Sequence, residues 1–361
     1  MKLETLLSST RNWAPDRNTT DGVVVGSIVR MVRNLPGYPF PGWSTGESRA
    51  AVAEKLLPVL RNMQGFKTAF CAEMNKLSYG QRRALLTRKQ LTPCMAARQD
   101  GCYIIIPQRR PFILMVNEEE HLVIHSFRNG LNFEDCIQDI EQLEDKLQEE
   151  LTFAYMPQHG FLTSIPSEAG DGLQLYCLLH LPALTTANMM NQVTKALEKL
   201  HVSISPYFSD AQDDTGHLFV LFSIPGPEDS IDEMMDAFHD VVNHIVRRER
   251  QVRRKLLADP GLHLQDAIAR AYGLLLNCRR LSIKELRDAI SLLRLGTLMG
   301  LLIWEEEERE ILIALNQFGL SQACEAALAE EISDPHLCLR RAAAAREFLS
   351  KHPHHFSDNT I

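Results

Sequence analysis

Hydrophobic and polar positions follow two different periods in the N-terminal two thirds of this chain. Short apolar runs bounded by Pro or Gly predict strands, most clearly at 103–106, 112–117 and 121–125. Apolar residues three and four positions apart predict amphipathic helices, most clearly at 132–153 and 231–257. Strands are also predicted at 23–25, 27–30, 160–164, 173–181 and 217–224, and helices at 47–63 and 188–200.

The pattern changes at Asp259, beyond which Leu, Ala, Arg and Glu dominate and strand-like runs are absent. Helical spacing predicts helices at 263–279, 282–293, 306–318, 320–331 and 335–350. The predicted fold class is α+β, with an antiparallel sheet flanked by helices followed by an all-helical C-terminal domain. The predicted divisions are a flexible lead-in at 1–22, a sheet domain at 23–257, a helical domain at 258–351 and a disordered tail at 352–361.

Composition and charge argue against some classes of function. The 361 residues are 45% hydrophobic and 23% charged, as in an ordinary globular protein, and the formal net charge of −8 argues against a nucleic-acid binder. A basic run at 247–255 is interpreted as a solvated helix face. No long apolar run and no signal peptide is present, so we expect a cytoplasmic protein.

Metal binding is not indicated by the pattern of cysteines and histidines. The eight cysteines are scattered without a C-x-x-C pair, which argues against a zinc site and a disulfide framework. His352, His354 and His355 are interpreted as an exposed tail, with a metal site as the less favoured alternative. We therefore predict no metal ligands in the protein itself.

Three consecutive carboxylates stand at the end of an apolar run. The segment 116–122 reads V-N-E-E-E-H-L, with Glu118, Glu119 and Glu120 between two predicted strands. Such a cluster is either an acidic turn or the acid/base end of an active site. The neighbouring motifs favour the second interpretation.

Several segments together resemble the ATP:guanido phosphotransferase family, and within it the bacterial protein-arginine kinases. The matching segments, in family order, are V-R-M-V-R-N-L…P-F-P (29–41), V-N-E-E-E-H-L (116–122), G-F-L-T-S-I-P…G-D-G-L (160–173), L-H-L-P-A-L (179–184), R-A-Y-G (270–273) and L-R-L-G…G-L-L (293–302). The resemblance implies a guanido-kinase catalytic domain, and an activity that transfers the γ-phosphoryl group of ATP, with Mg²⁺, to arginine side chains in proteins.

The resemblance also shows where the chain departs from the family. Members hold the triphosphate with five arginines, because guanidinium groups make paired, permanently charged hydrogen bonds to phosphate oxygens. Arg30 is the one that survives, with Ser27 nearby as a second candidate for nucleotide contact. The other four arginines are replaced by Ile28, Val123, Gln174 and Ser205. Arg33, Arg109, Arg110 and Arg128 are the nearby residues that could compensate.

Carboxylates that orient the guanidinium and accept its proton are the second requirement of this chemistry. Glu119 matches the first of the two family glutamates, and Asp210, one methylene shorter, stands for the second. Ile165 replaces the cysteine that lies beside the guanidinium in most relatives. Arg341 and Ala342 match the end of the motif that reads phosphoarginine, although a solvent-facing helix residue is the favoured interpretation of Arg341.

Two functional hypotheses follow from the resemblance. The five arginines that hold the triphosphate are called the cradle arginines below. The loss of four of them favours a pseudokinase, a family member with lost or much reduced phosphorylation. The alternative is an active protein-arginine kinase that works in protein quality control with ATP and Mg²⁺. The resemblance further implies client proteins with exposed arginine, a zinc-containing activator protein, a Clp protease system and a homodimer, with neither nucleic acid nor membrane as a partner.

Overall fold

The computed structural model describes residues 2–8, 22–108, 110–207, 216–224, 230–258, 263–308, 310–315 and 334–357. The strands are β1 (Val24–Arg33), β2 (Phe70–Glu73), β3 (Tyr103–Ile106), β4 (Phe112–Val116), β5 (Leu122–Asn129), β6 (Tyr155–Met156), β7 (Gly160–Phe161), β8 (Leu173–His180), β9 (Val202–Pro206), β10 (Leu218–Ser223), β11 (Leu302–Trp304) and β12 (His354–Phe356). The helices are α1 (Leu3–Ser8), α2 (Gly46–Asn62), α3 (Tyr79–Thr87), α4 (Pro93–Ala97), α5 (Phe133–Gln148), α6 (Pro182–Thr186), α7 (Met190–Leu197), α8 (Ile231–Ala258), α9 (His263–Asn277), α10 (Ile283–Leu298), α11 (310–315) and α12 (Asp334–Lys351).

An antiparallel sheet of eight strands, in the order β2-β3-β4-β5-β1-β8-β10-β9, forms the centre of the molecule. The ten-residue strand β1 lies inside it, paired with β5 on one side and β8 on the other. The sequence pattern predicted two short strands here because Gly26 and Ser27 interrupt the apolar run. The structure accommodates that interruption with a register shift between Val24 and Gly26 and continues as one strand.

One face of this sheet is covered by α2, α5 and α8. Val29 and Met31 of β1 pack there with Phe133 of α5 and Phe238 of α8, and all four side chains are buried. Asn132 caps α5 by accepting a hydrogen bond from the amide of Asp135. This cluster is the main hydrophobic core, so the helix-covered face is committed to stability.

The other face is divided between two apolar clusters. Over β3, β4 and β5, side chains from α3 and α4, including Leu85 and Met95, pack with Leu3 and Leu6 of α1. A smaller cluster lies over β1, β8 and β10, and none of its described residues belongs to a helix. Arg30 of β1 lies on this face of the sheet and is nearly buried.

Short elements account for most of what the sequence pattern missed. The pattern did not predict β2, α3, α4 or β9, which range from four to nine residues. Strand β9 reads V-S-I-S-P at the edge of the sheet, so its apolar content is too low to identify it. Short segments of this kind are stabilised by their neighbours more than by their own sequence.

The C-terminal region is helical, as expected, but it also contains a two-stranded ribbon. Strands β11 and β12 pair antiparallel, so the prediction of an exclusively helical domain is wrong at this point. Residues 354–356 form β12, which corrects the expected disordered tail there. His354 packs against the rings of Trp304 and Tyr272, whereas His355 is exposed, as expected. The predicted helix at 320–331 lies outside the described residues.

Both the N-terminal helix α1 and the C-terminal helical region contact the sheet domain. Residues 3–8 of the expected flexible lead-in form α1, and Leu3 and Leu6 are buried. On the C-terminal side, the Ser291 hydroxyl of α10 lies 2.8 Å from Nε2 of His180 at the end of β8. None of the described helices combines the length and the apolar character needed to cross a membrane.

Candidate active site

The turn between β4 and β5 carries the three glutamates. It begins at Asn117, whose φ of 60° lies in the left-handed region that asparagine tolerates better than most residues. The Asn117 side-chain amide donates to the carbonyl oxygens of Arg49 (2.8 Å) and Gly101 (2.7 Å), which holds the turn in place. The turn closes through a hydrogen bond from the amide of Asn117 to the carbonyl of His121 (3.0 Å).

Glu118 and Glu120, the outer pair of the triple glutamate, are buried and serve the structure of the turn. Glu118 accepts hydrogen bonds from the Thr92 hydroxyl (2.5 Å) and from the amide of Glu119 (2.6 Å). Glu120 accepts from Asn34 Nδ2 (2.7 Å) and from the amide and hydroxyl of Ser164 (2.8 and 2.6 Å). Both side chains therefore support the turn and leave Glu119 as the one that faces outward.

Glu119 is placed to act on a ligand. Its side chain is 47% exposed, and its Oε2 lies 3.6 Å from Nη2 of Arg30. Partial burial and the charge of Glu118 raise the pKa of Glu119, while Arg30 opposes that increase. A raised pKa makes the carboxylate a better proton acceptor, which is the property that deprotonation of a guanidinium requires.

Arg30 is nearly buried, with 7% of its surface exposed. Its Nη1 donates to Oε2 of Glu168 at 3.2 Å, so the guanidinium lies between the carboxylates of Glu119 and Glu168. Burial alone would lower the pKa of Arg30, but the acidic groups of Tyr176, Glu168 and Glu118 together raise it. The surviving cradle arginine is therefore already paired within the chain.

Two further polar side chains flank Arg30 on the same face of the sheet. The Tyr176 hydroxyl donates to Oε1 of Gln174, and Gln174 Nε2 donates to the carbonyl of Ser223 at 2.9 Å. Burial raises the pKa of Tyr176 to about 12, against the effect of Arg30. Gln174 thus uses its amide within the sheet, at the position where the family has a phosphate-binding arginine.

His125 of β5 lies directly across from Arg30 in the strand register. Its Nε2 is buried and has no hydrogen-bond partner in the part of the chain that the structure describes. Burial and the charge of Arg30 lower the pKa of His125 to about 3. The imidazole is therefore neutral at pH 7 and adds no positive charge to this side of the site.

The four replaced positions share the face of the sheet that carries Arg30. Ile28 is two residues before Arg30, Gln174 pairs with Arg30, Val123 is two residues before His125, and Ser205 pairs with Val220 on β10. The four positions therefore lie on one face of the sheet, spread over β1, β5, β8 and β9. Val123 is the most changed, because it is 0% exposed within the apolar cluster that includes Leu6 and Met95.

Ser27 does not belong to this face. It is one position before Ile28, so the alternation of the strand turns it to the opposite side of the sheet. Its hydroxyl is fully buried, donates to the carbonyl of Gly130 (2.7 Å) and accepts from the amide of Asn132 (3.0 Å). The prediction that Ser27 contacts a nucleotide is therefore wrong.

The remaining predicted site residues lie elsewhere. Asp210 is outside the described residues. Arg341 of α12 is only 8% exposed, and its Nη1 lies 3.9 Å from Sγ of Cys338, so the interpretation as a solvent-facing residue is wrong. Ala342 is buried in the core of the helical region. A role of this pair in phosphoarginine recognition stays a prediction.

Sequence reasoning missed Glu168, Tyr176 and His125. Tyr176 and His125 are each two residues beyond a position matched to a family arginine, so strand period would have placed them on this face. Glu168 offered no such signal, because it lies in a short 3₁₀ turn and reaches Arg30 across 138 residues of sequence.

Comparison with known proteins decides the family. Residues 51–252 match the family model for the ATP:guanido phosphotransferase C-terminal catalytic domain, and residues 261–359 match the one for the protein-arginine kinase McsB C-terminal domain. This chain belongs to the ATP:guanido phosphotransferase family. Its similarity covers both the sheet and the helical region, as the ordered motifs predicted.

Curated relatives of this family member are named protein-arginine kinase. The protein from Shouchella clausii is 29% identical over 343 residues, which covers 93% of this chain and 94% of the relative. The protein from Geobacillus stearothermophilus is 26% identical over 341 residues, with 93% of each chain covered.

Solved structures of guanido phosphotransferases share the fold. The duplicated taurocyamine kinase from Schistosoma mansoni, with bound components of a transition-state analogue, superposes with a TM-score of 0.59 at 18% identity. The match covers 75% of this chain and 41% of that longer one. Lombricine kinase superposes with a TM-score of 0.56 at 16% identity, covering 69% of this chain and 71% of the kinase. At these identities the likeness concerns the fold alone.

The residues at the five positions matched to family arginines do not form a cradle for a triphosphate. A phosphate cradle requires several unpaired donors with positive charge. Among the matched positions that the structure describes, one cation remains, and it is paired with two carboxylates. On the guanidinium side, hydrogen bonds to Glu118 and Glu120 hold the turn that carries Glu119, although Ile165 and Asp210 differ from the matched family residues.

Proposed function

We propose that this chain is a protein-arginine kinase-like protein in which ATP-dependent phosphorylation is lost or much reduced, and that its acceptor side still receives arginine side chains of other proteins. The observation that carries the proposal is Val123, which stands at a phosphate-binding position and is completely buried among apolar side chains. A phosphate oxygen at this position would have to enter an apolar cluster without a donor, which is strongly unfavourable.

The magnitude of the loss supports reduced activity. A hydrogen bond to a charged group contributes about 1.5 to 3 kcal/mol. Four missing arginines therefore remove several kcal/mol even when the contributions are not additive. At about 1.4 kcal/mol per factor of ten, the expected loss in nucleotide binding or rate is a thousand-fold or more.

Compensation by Arg33 or Arg128 is not favoured by their contacts, and Arg109 lies outside the described residues. Arg33 lies on the opposite face of β1 from Arg30, and its guanidinium makes two hydrogen bonds to Glu144, at 2.5 and 2.8 Å. Arg128 is paired with Asp139 of α5. Since both guanidinium groups already have carboxylate partners, moving either one to a phosphate would break an existing ion pair.

The acceptor side supports recognition of arginine. Glu119 is half-exposed, and Glu118 and Glu120 hold its turn without using its carboxylate. Relatives with the same two-part organisation are named protein-arginine kinase. We therefore propose client proteins with exposed arginine as partners, with Glu119 as the residue that binds the guanidinium.

An active protein-arginine kinase is the alternative. It is favoured by the raised pKa of Glu119, which suits a residue that accepts a proton during phosphoryl transfer. In that case ATP with Mg²⁺ would be the phosphoryl donor. A zinc-containing activator protein, a Clp protease system, a homodimer and a cytoplasmic location follow from the family resemblance and stay predictions for both alternatives.

One experiment separates the two functions. The purified full chain is incubated with Mg-ATP and an arginine-rich protein substrate, and acid-labile phosphate on the substrate is measured. We expect no transfer above that of a Glu119→Gln variant. Transfer by the unmodified protein that Glu119→Gln abolishes would overturn the proposal and establish the active kinase.

Binding of the acceptor is measured separately. We expect an arginine-containing peptide to bind the unmodified chain about ten-fold more tightly than Glu119→Gln, because one charge-assisted hydrogen bond is lost. The same peptide with each arginine replaced by citrulline, which is uncharged, serves as the control. Equal binding of both peptides would contradict an acceptor role for Glu119.

A further inference from the structure

Arg30 and Glu168 form an ion pair at the phosphate side of the site. The pair joins Nη1 of the guanidinium to Oε2 of the carboxylate at 3.2 Å, and the two side chains are 9% and 18% exposed. It is therefore shielded from solvent, where ion pairs are screened less than at the surface. Its partners are 138 residues apart, so the fold and not local sequence brings them together.

The loop that carries Glu168 is fixed on both sides of this residue. Phe161 and Gly170 form a β-bridge across its base, and residues Pro166–Glu168 form a 3₁₀ turn. Ser164 is tied to Glu120 through its amide and its hydroxyl. Since the loop is fixed, the carboxylate of Glu168 is held at Arg30 with little freedom to leave.

The charges around Arg30 have the wrong sign for an anionic ligand. Glu118, Glu119 and Glu168 all act on this single guanidinium, so three negative charges face one positive charge. A phosphate group entering here would meet a net negative field and would have to displace a carboxylate. Cations, including a guanidinium, are favoured by the same field.

We propose that Glu168 is an internal substitute for phosphate: its carboxylate pairs with Arg30, excludes anions from this side of the site and makes the site specific for a cationic guanidinium ligand. Glu168 is thus a specificity-determining residue, which acts by pairing the last cradle arginine. The proposal rests on the proposed function, because it explains how the phosphate side is closed. The new element is that a single carboxylate, that of Glu168, excludes anions, so a substitution of Glu168 should restore anion binding.

The test measures binding of inorganic pyrophosphate to the full chain by calorimetry. We expect weak binding to the unmodified protein and about ten- to hundred-fold tighter binding to Glu168→Gln and Glu168→Ala, because a freed guanidinium regains a charge-assisted hydrogen bond to phosphate. Glu168→Ala is included because a glutamine could still accept a hydrogen bond from Arg30.

Two controls connect the gain to this pair. Glu141→Gln removes one carboxylate from an exposed position on α5, on the other face of the sheet, and we expect no change from it. The double variant Arg30→Gln/Glu168→Gln is expected to return to the weak binding of the unmodified protein. A gain in Glu141→Gln equal to that in Glu168→Gln would assign the effect to net charge and overturn the proposal.

Other results also contradict it. Folded Glu168 variants that bind pyrophosphate no more tightly than the unmodified protein would show that Arg30 is not restrained by Glu168. Failure of both variants to fold, measured by circular dichroism and thermal unfolding, would assign Glu168 a structural role instead. Phosphoryl transfer by the unmodified protein would overturn the proposed function in a different assay, so the two failures are distinguishable.

Discussion

The turn around Glu119 and the strand positions around Val123 lie on adjoining parts of the same two strands, yet they differ in chemistry. The turn is a dense polar network, in which Asn34 and Ser164 satisfy the buried carboxylate of Glu120. The strand positions are apolar or neutral, and their one remaining cation is neutralised by Glu168. One part of the site is rich in buried polar contacts, and the other has uncharged residues at four of the five positions matched to family arginines.

This difference separates residues that are needed for folding from residues that are needed only to bind a ligand. Buried polar groups such as Glu118 and Glu120 are needed for folding, because removing one partner leaves the other unsatisfied. Cradle arginines serve only a phosphate ligand and repel one another without it. Retention of Glu118 and Glu120 is therefore explained by stability alone, whereas the half-exposed Glu119, which reaches Arg30 at 3.6 Å, is the glutamate for which we propose a ligand.

The largest expected effect comes from returning an arginine to the most buried phosphate-side position. Val123→Arg should lower the free energy of unfolding by about 4 kcal/mol or more, because it places an uncompensated charge in an apolar cluster. Chemical denaturation measures the loss. Val123→Met, which adds volume without charge, is the control and should cost less; equal costs would show that volume and not charge decides.

Asn34→Ala tests the polar part of the comparison. Asn34 donates to Glu120 and to the carbonyl of Leu162, and it accepts from the amide of His121. Its loss leaves buried groups unsatisfied and should cost about 2 to 3 kcal/mol in denaturation. Asn277→Ala, on an exposed helical position, should change stability little. A small effect of Asn34→Ala would show that the turn tolerates unpaired groups.

The acid side of the stability profile tests the neutral histidine on the phosphate side. The pKa of His125 is about 3 in the folded state, below the ordinary value of 6.5, so below pH 6.5 the unfolded chain binds a proton that the folded chain does not. Stability therefore falls as pH decreases from about 6.5 towards 3, by at most about 1.4 kcal/mol per pH unit for this group.

His125→Leu should flatten that slope, whereas substitution of the exposed His159 should not. Denaturation at several pH values measures both. His180 and His217 also have lowered pKa values from burial, so part of the slope should persist in His125→Leu. A slope unchanged by His125→Leu would mean that the imidazole is protonated at the same pH in both states.

Ser205→Arg is expected to have the smallest effect. Ser205 is exposed on the edge strand β9, where an arginine side chain can reach solvent. The free energy of unfolding should change by less than about 0.5 kcal/mol. Comparison with Val123→Arg tests whether an arginine destabilises the protein at every matched position or only at the buried one. A large loss of stability in Ser205→Arg would show that the exposed position is also unable to accept a cation.

Sequence patterns were most informative for long periodic segments and ordered motifs. The helices α5 and α8 and the strands β3, β4 and β8 follow from apolar spacing, because each buries a continuous face. The match of motifs to family order pointed to Glu119 and to the replaced positions, and the alternation of side chains along each strand puts the replaced positions on one face of the sheet.

Residues whose role depends on one position of register or on distant contacts were not predictable. Ser27 stood beside a motif position, but a shift of one residue along a strand places a side chain on the other face of the sheet. Arg341 has the sequence context of an exposed helix residue, yet its helix packs so that the side chain is buried. Strand β12 forms because β11 offers it a partner.

The sequence by itself determined that this chain has the guanido phosphotransferase fold, and its motifs matched Glu119 to a family glutamate and four uncharged residues to family arginine positions. These properties reside in residue identity and spacing, which need no coordinates. Only the tertiary structure decided the state of the fifth arginine. Arg30 and Glu168 meet because the β7–β8 loop folds back over β1, and a pair formed across 138 residues leaves no mark in the local pattern.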